Sequence, residues 1–348
     1  MKLLQNLLKM MLAIFIAAIG STLFIYLNLP LPWLLGSIFI TSVLIRFEKL
    51  PIKKPNSYFS TPVRVIVGVT IGSAFTPAIL GQIDSYIYSL LFVIPYVILT
   101  AIFGILYYWK LQKFDIKTAY LSAMPGGVIE MVLLGEEMKA NIAKITLVQA
   151  SRLFFIVLSL PLIIQYIFHI DISGNRLITA SITELELLDI SLLVFIGITG
   201  AVFGKKINMP AAYLIGPMII SMIAYASGIV ESKPPDELLK FVQVVIGTSI
   251  GFTFRGVKVK EIIKTLIGTL GHFVILAIIT ASFVFLISYT LDFPMLSILL
   301  AFSPGGQTES TLIAILVTAN VPYITLHHIV RLILVFNLAP LIAKKYLK

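Results

Sequence analysis

The chain repeats itself, and the repeat limits what it can fold into. Pro30-Leu31-Pro32-Trp33-Leu34-Leu35-Gly36 returns about 180 residues later as Pro210-Ala211-Ala212-Tyr213-Leu214-Ile215-Gly216. Ala123-Met124-Pro125-Gly126-Gly127-Val128-Ile129-Glu130 returns as Phe302-Ser303-Pro304-Gly305-Gly306-Gln307-Thr308-Glu309. The stretch from Asn141 to Arg152 returns from Asn320 to Arg331, with Ile145-Thr146-Leu147 matched by Ile324-Thr325-Leu326. Gly20 pairs with Gly200, Gly68 with Gly247, Gly72 with Gly251 and Pro161 with Pro340. The offset changes by one residue across the half, as expected of a duplicated segment.

The solvent for both copies is lipid. Hydrophobic residues make up 59% of 348 and charged residues 12%, with a mean hydropathy of +1.03. A soluble domain carries about 25% charge. Long apolar runs cover residues 10–27, 87–108, 142–170, 187–203, 266–289 and 321–343. About 20 apolar residues suffice for a helix to cross the hydrocarbon core. The first run has the basic start and small residues of a signal peptide, but it aligns with internal residues 193–203 and reads as a retained helix. The net charge of +10 is distributed over short loops. That is the positive-inside pattern rather than a face for nucleic acid. Cysteine is absent, which removes disulfides and thiolate metal sites.

Loop charges orient the copies. Each half holds six hydrophobic elements. In the first half Arg46, Lys49, Lys53 and Lys54 lie between the second and third, and Lys110, Lys113 and Lys117 between the fourth and fifth. In the second half the basic residues shift to the alternate loops, with Lys205 and Lys206 in one and Arg255, Lys258, Lys260 and Lys264 in the other. Equivalent loops therefore fall on opposite sides, and each half crosses an odd number of times. The fold expected is an all-α polytopic membrane protein with two inverted-topology repeats. Each repeat holds about five transmembrane helices plus one broken or re-entrant Pro-Gly-Gly segment, with seven crossings as the alternative. Residues 1–170 form the first repeat, 171–186 an extracytoplasmic linker and 187–348 the second repeat. Both termini are expected on the cytoplasmic side of the membrane. The first two elements of each half read as a scaffold, and the other four are expected to meet near mid-membrane.

The candidate site residues follow from what is costly in lipid. Pro125, Gly126 and Gly127, and their matches Pro304, Gly305 and Gly306, break apolar segments. Unpaired backbone at membrane depth costs several kcal/mol per group, so such a break persists only where protein or a watery cavity satisfies it. Glu130 and Glu309 follow five residues after each proline and read as proton carriers or as ion-pair partners of Arg152 and Arg331. Thr146, Gln149 and Arg152 recur as Thr325, His328 and Arg331, a polar stripe along an apolar helix. Asn141 and Asn320 read as helix N-caps. The paired glycines four apart read as packing contacts. The four histidines have no ligand spacing, so no metal and no cofactor is expected.

The duplicated P-x-x-[WY]-L-[LI]-G element, the Pro-Gly-Gly-x-x-Glu element and the trailing arginine resemble the AbrB family of bacterial membrane proteins, over nearly the whole chain. That family is internally duplicated and is distinct from the small DNA-binding regulators of the same name. Its labels include regulator of gene expression and ammonia monooxygenase. Its organisation is also similar to secondary carriers of the bile-acid and sodium–proton antiporter type. Together these features lead us to expect a secondary transporter working by alternating access, with proton coupling as an option. The alternative is a membrane-embedded regulator that acts on expression indirectly. Monooxygenase chemistry needs a held redox centre, which neither Cys nor a His cluster is there to supply, so no enzyme is expected. The expected partners are a small anionic or zwitterionic solute and membrane lipid, with no nucleic acid. A homodimer is left open.

Overall fold

Local signals in the sequence set the helix boundaries. Asn56 caps one helix by accepting from Tyr58 N at 3.1 Å, and Asp115 caps another by accepting from Thr118 N at 2.9 Å. Asn141 Oδ1 accepts from Lys144 N and Asn320 Oδ1 from Tyr323 N, each at 3.1 Å, so both asparagines are the N-caps the sequence suggests. The computed structural model describes residues 2–47, 50–77, 81, 83–126, 128–172, 179–209 and 211–346.

The first half contains α1 (Lys2–Tyr26), α2 (Pro32–Leu44), α3 (Ser57–Gly72), α4 (Ile83–Leu91), α5 (Val93–Leu106), a π-helical turn (Tyr107–Leu111), α6 (Ile116–Ala123), α7 (Val128–Glu137) and α8 (Ile142–Tyr166). The second contains α9 (Leu187–Lys206), α10 (Ala212–Ala226), α11 (Asp236–Gly251), α12 (Val259–Leu291), α13 (Met295–Phe302), α14 (Gln307–Leu316) and α15 (Val321–Tyr346). No β-strand occurs among the described residues. Among the described residues, six spans are long and apolar enough to cross a membrane: Leu3–Tyr26, Asp84–Leu111, Ile142–Tyr166, Leu187–Lys206, Lys260–Leu291 and Val321–Ala343. The protein is a multi-pass membrane protein. The fifth hydrophobic element of each half is split in two, α6/α7 and α13/α14, at its Pro-Gly-Gly.

The duplication reaches down to single backbone angles. Among the described residues, eight of the nine non-glycine residues with positive φ form matched pairs, Asn28 with Asn208, Leu31 with Ala211, Lys113 with Asp292, and Lys139 with Thr318, with His169 the ninth. A left-handed conformation costs an L-residue about 1–2 kcal/mol, so shared exceptions mean a shared local structure. Phe15 and Phe195, at equivalent positions of α1 and α9, are 63% and 65% exposed. The two helices thus turn the same apolar face outward, as lipid-facing helices do.

The compact units are not the sequence halves. One unit comprises Met1–Gln82, Pro161–Arg255 and Ile315–Val317, and the other Ile83–Leu160, Gly256–Ala314 and Thr318–Lys348. The first collects the first three elements of each half and the second the last three. The third element, α3 or α11, therefore groups with the scaffold and not, as the sequence suggests, with the broken segment.

Glycine explains that grouping. Within the first unit α3 packs on α10 and α11 packs on α2, each helix crossing to the other half. A Cβ at Gly247 would stand 2.6 Å from Leu34 O, and one at Gly251 2.7 Å from Thr41 Cβ. At the equivalent crossing, Gly68 lies against Leu214 O and Gly72 against Met218 O. Ser221 Oγ fastens the contact by donating to Val69 O at 2.8 Å. Between lipid-embedded helices, close approach of this kind supplies the packing that the hydrophobic effect cannot.

Candidate functional site

The second unit contains both breaks, and each leaves helix-end carbonyls without an i+4 donor. α6 ends at Ala123 and α13 at Phe302, because proline follows two residues later and supplies no N–H. Arginine takes those carbonyls. Arg152 Nη1 donates to Met124 O at 2.9 Å and Nη2 to Gly126 O at 3.2 Å. Arg331 Nη1 donates to Ser303 O, and Nη2 to Gly305 O at 2.9 Å. The planar fork spans two carbonyls on either side of a proline, and its charge faces the negative end of a helix dipole. The guanidinium groups do not snorkel: Arg152 is 3% and Arg331 5% exposed.

The residues one turn earlier do related work. Gln149 Nε2 donates to Leu121 O at 2.8 Å and to Met124 O at 3.1 Å. His328 Nε2 bonds to the equivalent carbonyl, Leu300 O, at 2.9 Å. His328 Nδ1 lies 2.8 Å from Arg331 Nη2. A guanidinium only donates, so Nδ1 accepts and the ring proton sits on Nε2, toward Leu300 O. In this arrangement the imidazole is neutral.

The breaks interlock with the opposite half. A Cβ at Gly126 would meet Val335 Cγ1 of α15 at 3.1 Å, and one at Gly305 would meet Ile156 Cγ2 of α8 at 3.0 Å. Tyr120 Oη donates to Ala339 O at 2.9 Å. Between these segments lies a cavity of about 150 Å³. Pro125, Gly126 and Arg152 line it from the first half, and Gly305, Gly306, Glu309, His328 and Arg331 from the second. Glu309 stands in the first turn of α14, where the positive end of the helix dipole favours a carboxylate. It folds back over Gly306, where a Cβ would collide with Oε2.

Eight of the fourteen residues singled out from sequence thus meet at one cavity. Gly127 and the side chain of Glu130 lie outside the described residues. Pro304 is buried but does not line the cavity. Gln149 donates from Nε2 to the Leu121 and Met124 carbonyls, its buried Oε1 has no protein partner, and it is not a lining residue. Thr146 and Thr325 also stand off the cavity. At about 100° per residue, position i+6 lies roughly 120° round the helix from i, so the stripe from Thr146 to Arg152 does not share one face.

Five further residues line the cavity, the apolar Leu153, Leu332, Val335 and Phe336 and the polar Gln307. Gln307 opens α14 and lines the cavity, and neither its amide oxygen nor its amide nitrogen has a protein partner. The signal was available as a mismatch, because the equivalent position in the first half is Val128.

Comparison with known proteins places this architecture in context. Residues 33–346 match the family described as "Transition state regulatory protein AbrB". The chain is also similar to "Uncharacterized protein YhjN" of Bacillus subtilis (strain 168). The two are 23% identical over 362 residues, covering 97% of this chain and 92% of the relative.

Proposed function

The chain belongs to the AbrB family, and from that premise we propose that it is a secondary transporter moving a small solute by alternating access. One observation carries the reading. Two broken helices, one from each repeat, close on a single cavity lined by two buried arginines and a glutamate. Carriers built from repeats place their sites at such breaks, near the bilayer midplane. In this reading each half crosses five times and contributes one broken segment, with equivalent loops on opposite sides. Both termini lie in the cytoplasm at a bacterial plasma membrane.

Glu309 is the group assigned to proton coupling, with Glu130 as its repeat partner. The arginines are held to backbone carbonyls and keep their charge at the cavity. Protonation of a carboxylate would change the net charge a solute meets there. The regulatory wording of the family description fits the same reading if solute flux alters gene expression indirectly. The protein is not proposed to be an enzyme or to contact nucleic acid.

The test uses purified protein in liposomes loaded with a pH-sensitive dye. Carboxylates, amino acids and sugars are added in turn, with protein-free vesicles as the control. We expect one solute class to shift lumenal pH only when the protein is present, with the shift abolished in Glu309→Gln. An unaltered response in that variant would remove Glu309 from the coupling step.

A further inference from the structure

The repeat provides its own control for what the cavity binds. Arg152 and Arg331 hold equivalent carbonyls, and Gly126 and Gly305 make equivalent contacts. Those features keep the breaks in shape. The α14 side lacks that symmetry at its first residue, where Gln307 replaces the valine of α7. The fold therefore does not require a polar side chain there. Buried amide atoms without a partner are destabilising, so their presence calls for another reason.

The chemistry around Gln307 is donor-rich and cationic. Arg152 uses both terminal nitrogens on carbonyls, but its Nε is buried and has no protein partner. The described lining side chains include two guanidiniums against the one carboxylate of Glu309, with His328 neutral. A volume of about 150 Å³ equals roughly five waters at ~30 Å³ each.

We propose that the Gln307 amide and Arg152 Nε form the subsite for the carboxylate of a small organic anion of about two to four carbons. The Gln307 nitrogen and Arg152 Nε donate to the carboxylate. The Gln307 oxygen accepts from a hydroxyl or amino group on the neighbouring carbon where the solute has one. The inference rests on the cavity being the solute site, and it assigns the solute's charge and the residue that reads it.

Thermal unfolding of the full chain in detergent tests this, with sodium acetate, sodium lactate and acetamide at constant ionic strength. Acetamide has the shape of acetate without the charge. The expected result is a saturable rise in Tm with acetate or lactate and a much smaller one with acetamide. Gln307→Leu and Gln307→Val should bind the carboxylate about 10- to 100-fold more weakly, as befits one lost hydrogen bond to a charged group. Their own Tm without solute should equal or exceed the native value, because an unpaired buried amide has gone. An undiminished carboxylate response in both variants would overturn the subsite. Equal shifts from acetate and acetamide would overturn the anion class while leaving the cavity a binding site. No shift from any solute would count against this inference and against the cavity as a solute site.

Discussion

Arg331 donates from Nη2 to the carbonyl of Gly305 at 2.9 Å, across the proline break of its own half. Arg152 makes the same bond to Gly126 at 3.2 Å. Each arginine replaces the backbone donors that proline and the chain break remove. The helix can stop within an apolar segment here because a side chain from the neighbouring helix finishes it.

The arginines should therefore resist conservative substitution. Lysine offers a point charge rather than a fork and cannot span two carbonyls in plane. Arg152→Lys and Arg331→Lys are each expected to lower stability by about 2–4 kcal/mol, the sum of weakened charged hydrogen bonds and an unsatisfied carbonyl. Thermal unfolding in detergent would show it, and an unchanged Tm for both would refute the capping role.

The crossed glycine contacts should be intolerant of a single methyl. Gly247→Ala forces Cβ into Leu34 O and Ser37. A loss of about 1–3 kcal/mol is expected from overpacking, even though alanine is about 1 kcal/mol better than glycine in a helix. Gly135→Ala is the comparison. Its Cβ would meet only the far ends of two side chains, Ile145 at 3.0 Å and Leu121 at 3.6 Å. Stability there should be unchanged or slightly raised. Equal behaviour of the two variants would contradict the packing account.

The N-caps should contribute unequally in the two halves. Asn141→Ala removes one hydrogen bond to a helix N-terminus, whereas Asn320→Ala also removes the bond that its Nδ2 donates to Tyr86 Oη at 2.9 Å. Asn141→Ala is expected to cost about 1 kcal/mol and Asn320→Ala about 1 kcal/mol more, read from the shift in the unfolding midpoint. Equal losses would mean that the Tyr86 bond contributes nothing.

Under the proposed inverted topology, equivalent positions report opposite sides. Tyr26 and Lys206 end α1 and α9, and both are exposed. The chain has no native cysteine. In vesicles of one orientation, Tyr26→Cys and Lys206→Cys should be labelled by a membrane-impermeant reagent from opposite faces. Labelling of both from one face would rule out inversion.

Much of this was legible in the sequence because duplication writes each structural necessity twice. Pro125 with Pro304 and Arg152 with Arg331 stand out only as pairs, and all but Pro304 line one cavity. What was hidden follows from the same rule. Spacing shows that Gly68 and Gly72 need a close neighbour, but not that the neighbour is α10 of the other half, which is what places α3 in the first unit. Gln149 and Thr146 looked like site residues because polarity in lipid is costly. Gln149 meets part of that cost by donating from Nε2 to the carbonyls of Leu121 and Met124, while its Oε1 stays without a protein partner. Gln307 escaped notice because pairing highlights what the halves share, whereas a solute that is not itself two-fold symmetric is recognised where they differ.

The central claim is that solute crosses through the cavity between the two breaks. Counterflow tests it most directly, because exchange needs no knowledge of the coupling ion. Proteoliposomes preloaded with unlabelled lactate are diluted into labelled lactate at alkaline pH, with native protein, with Leu332→Trp to fill the cavity, and with no protein. The account requires transient accumulation of label with the native protein and its loss in Leu332→Trp while that variant remains folded. Label entry no faster than in protein-free vesicles, or equal exchange with the cavity filled, would contradict it.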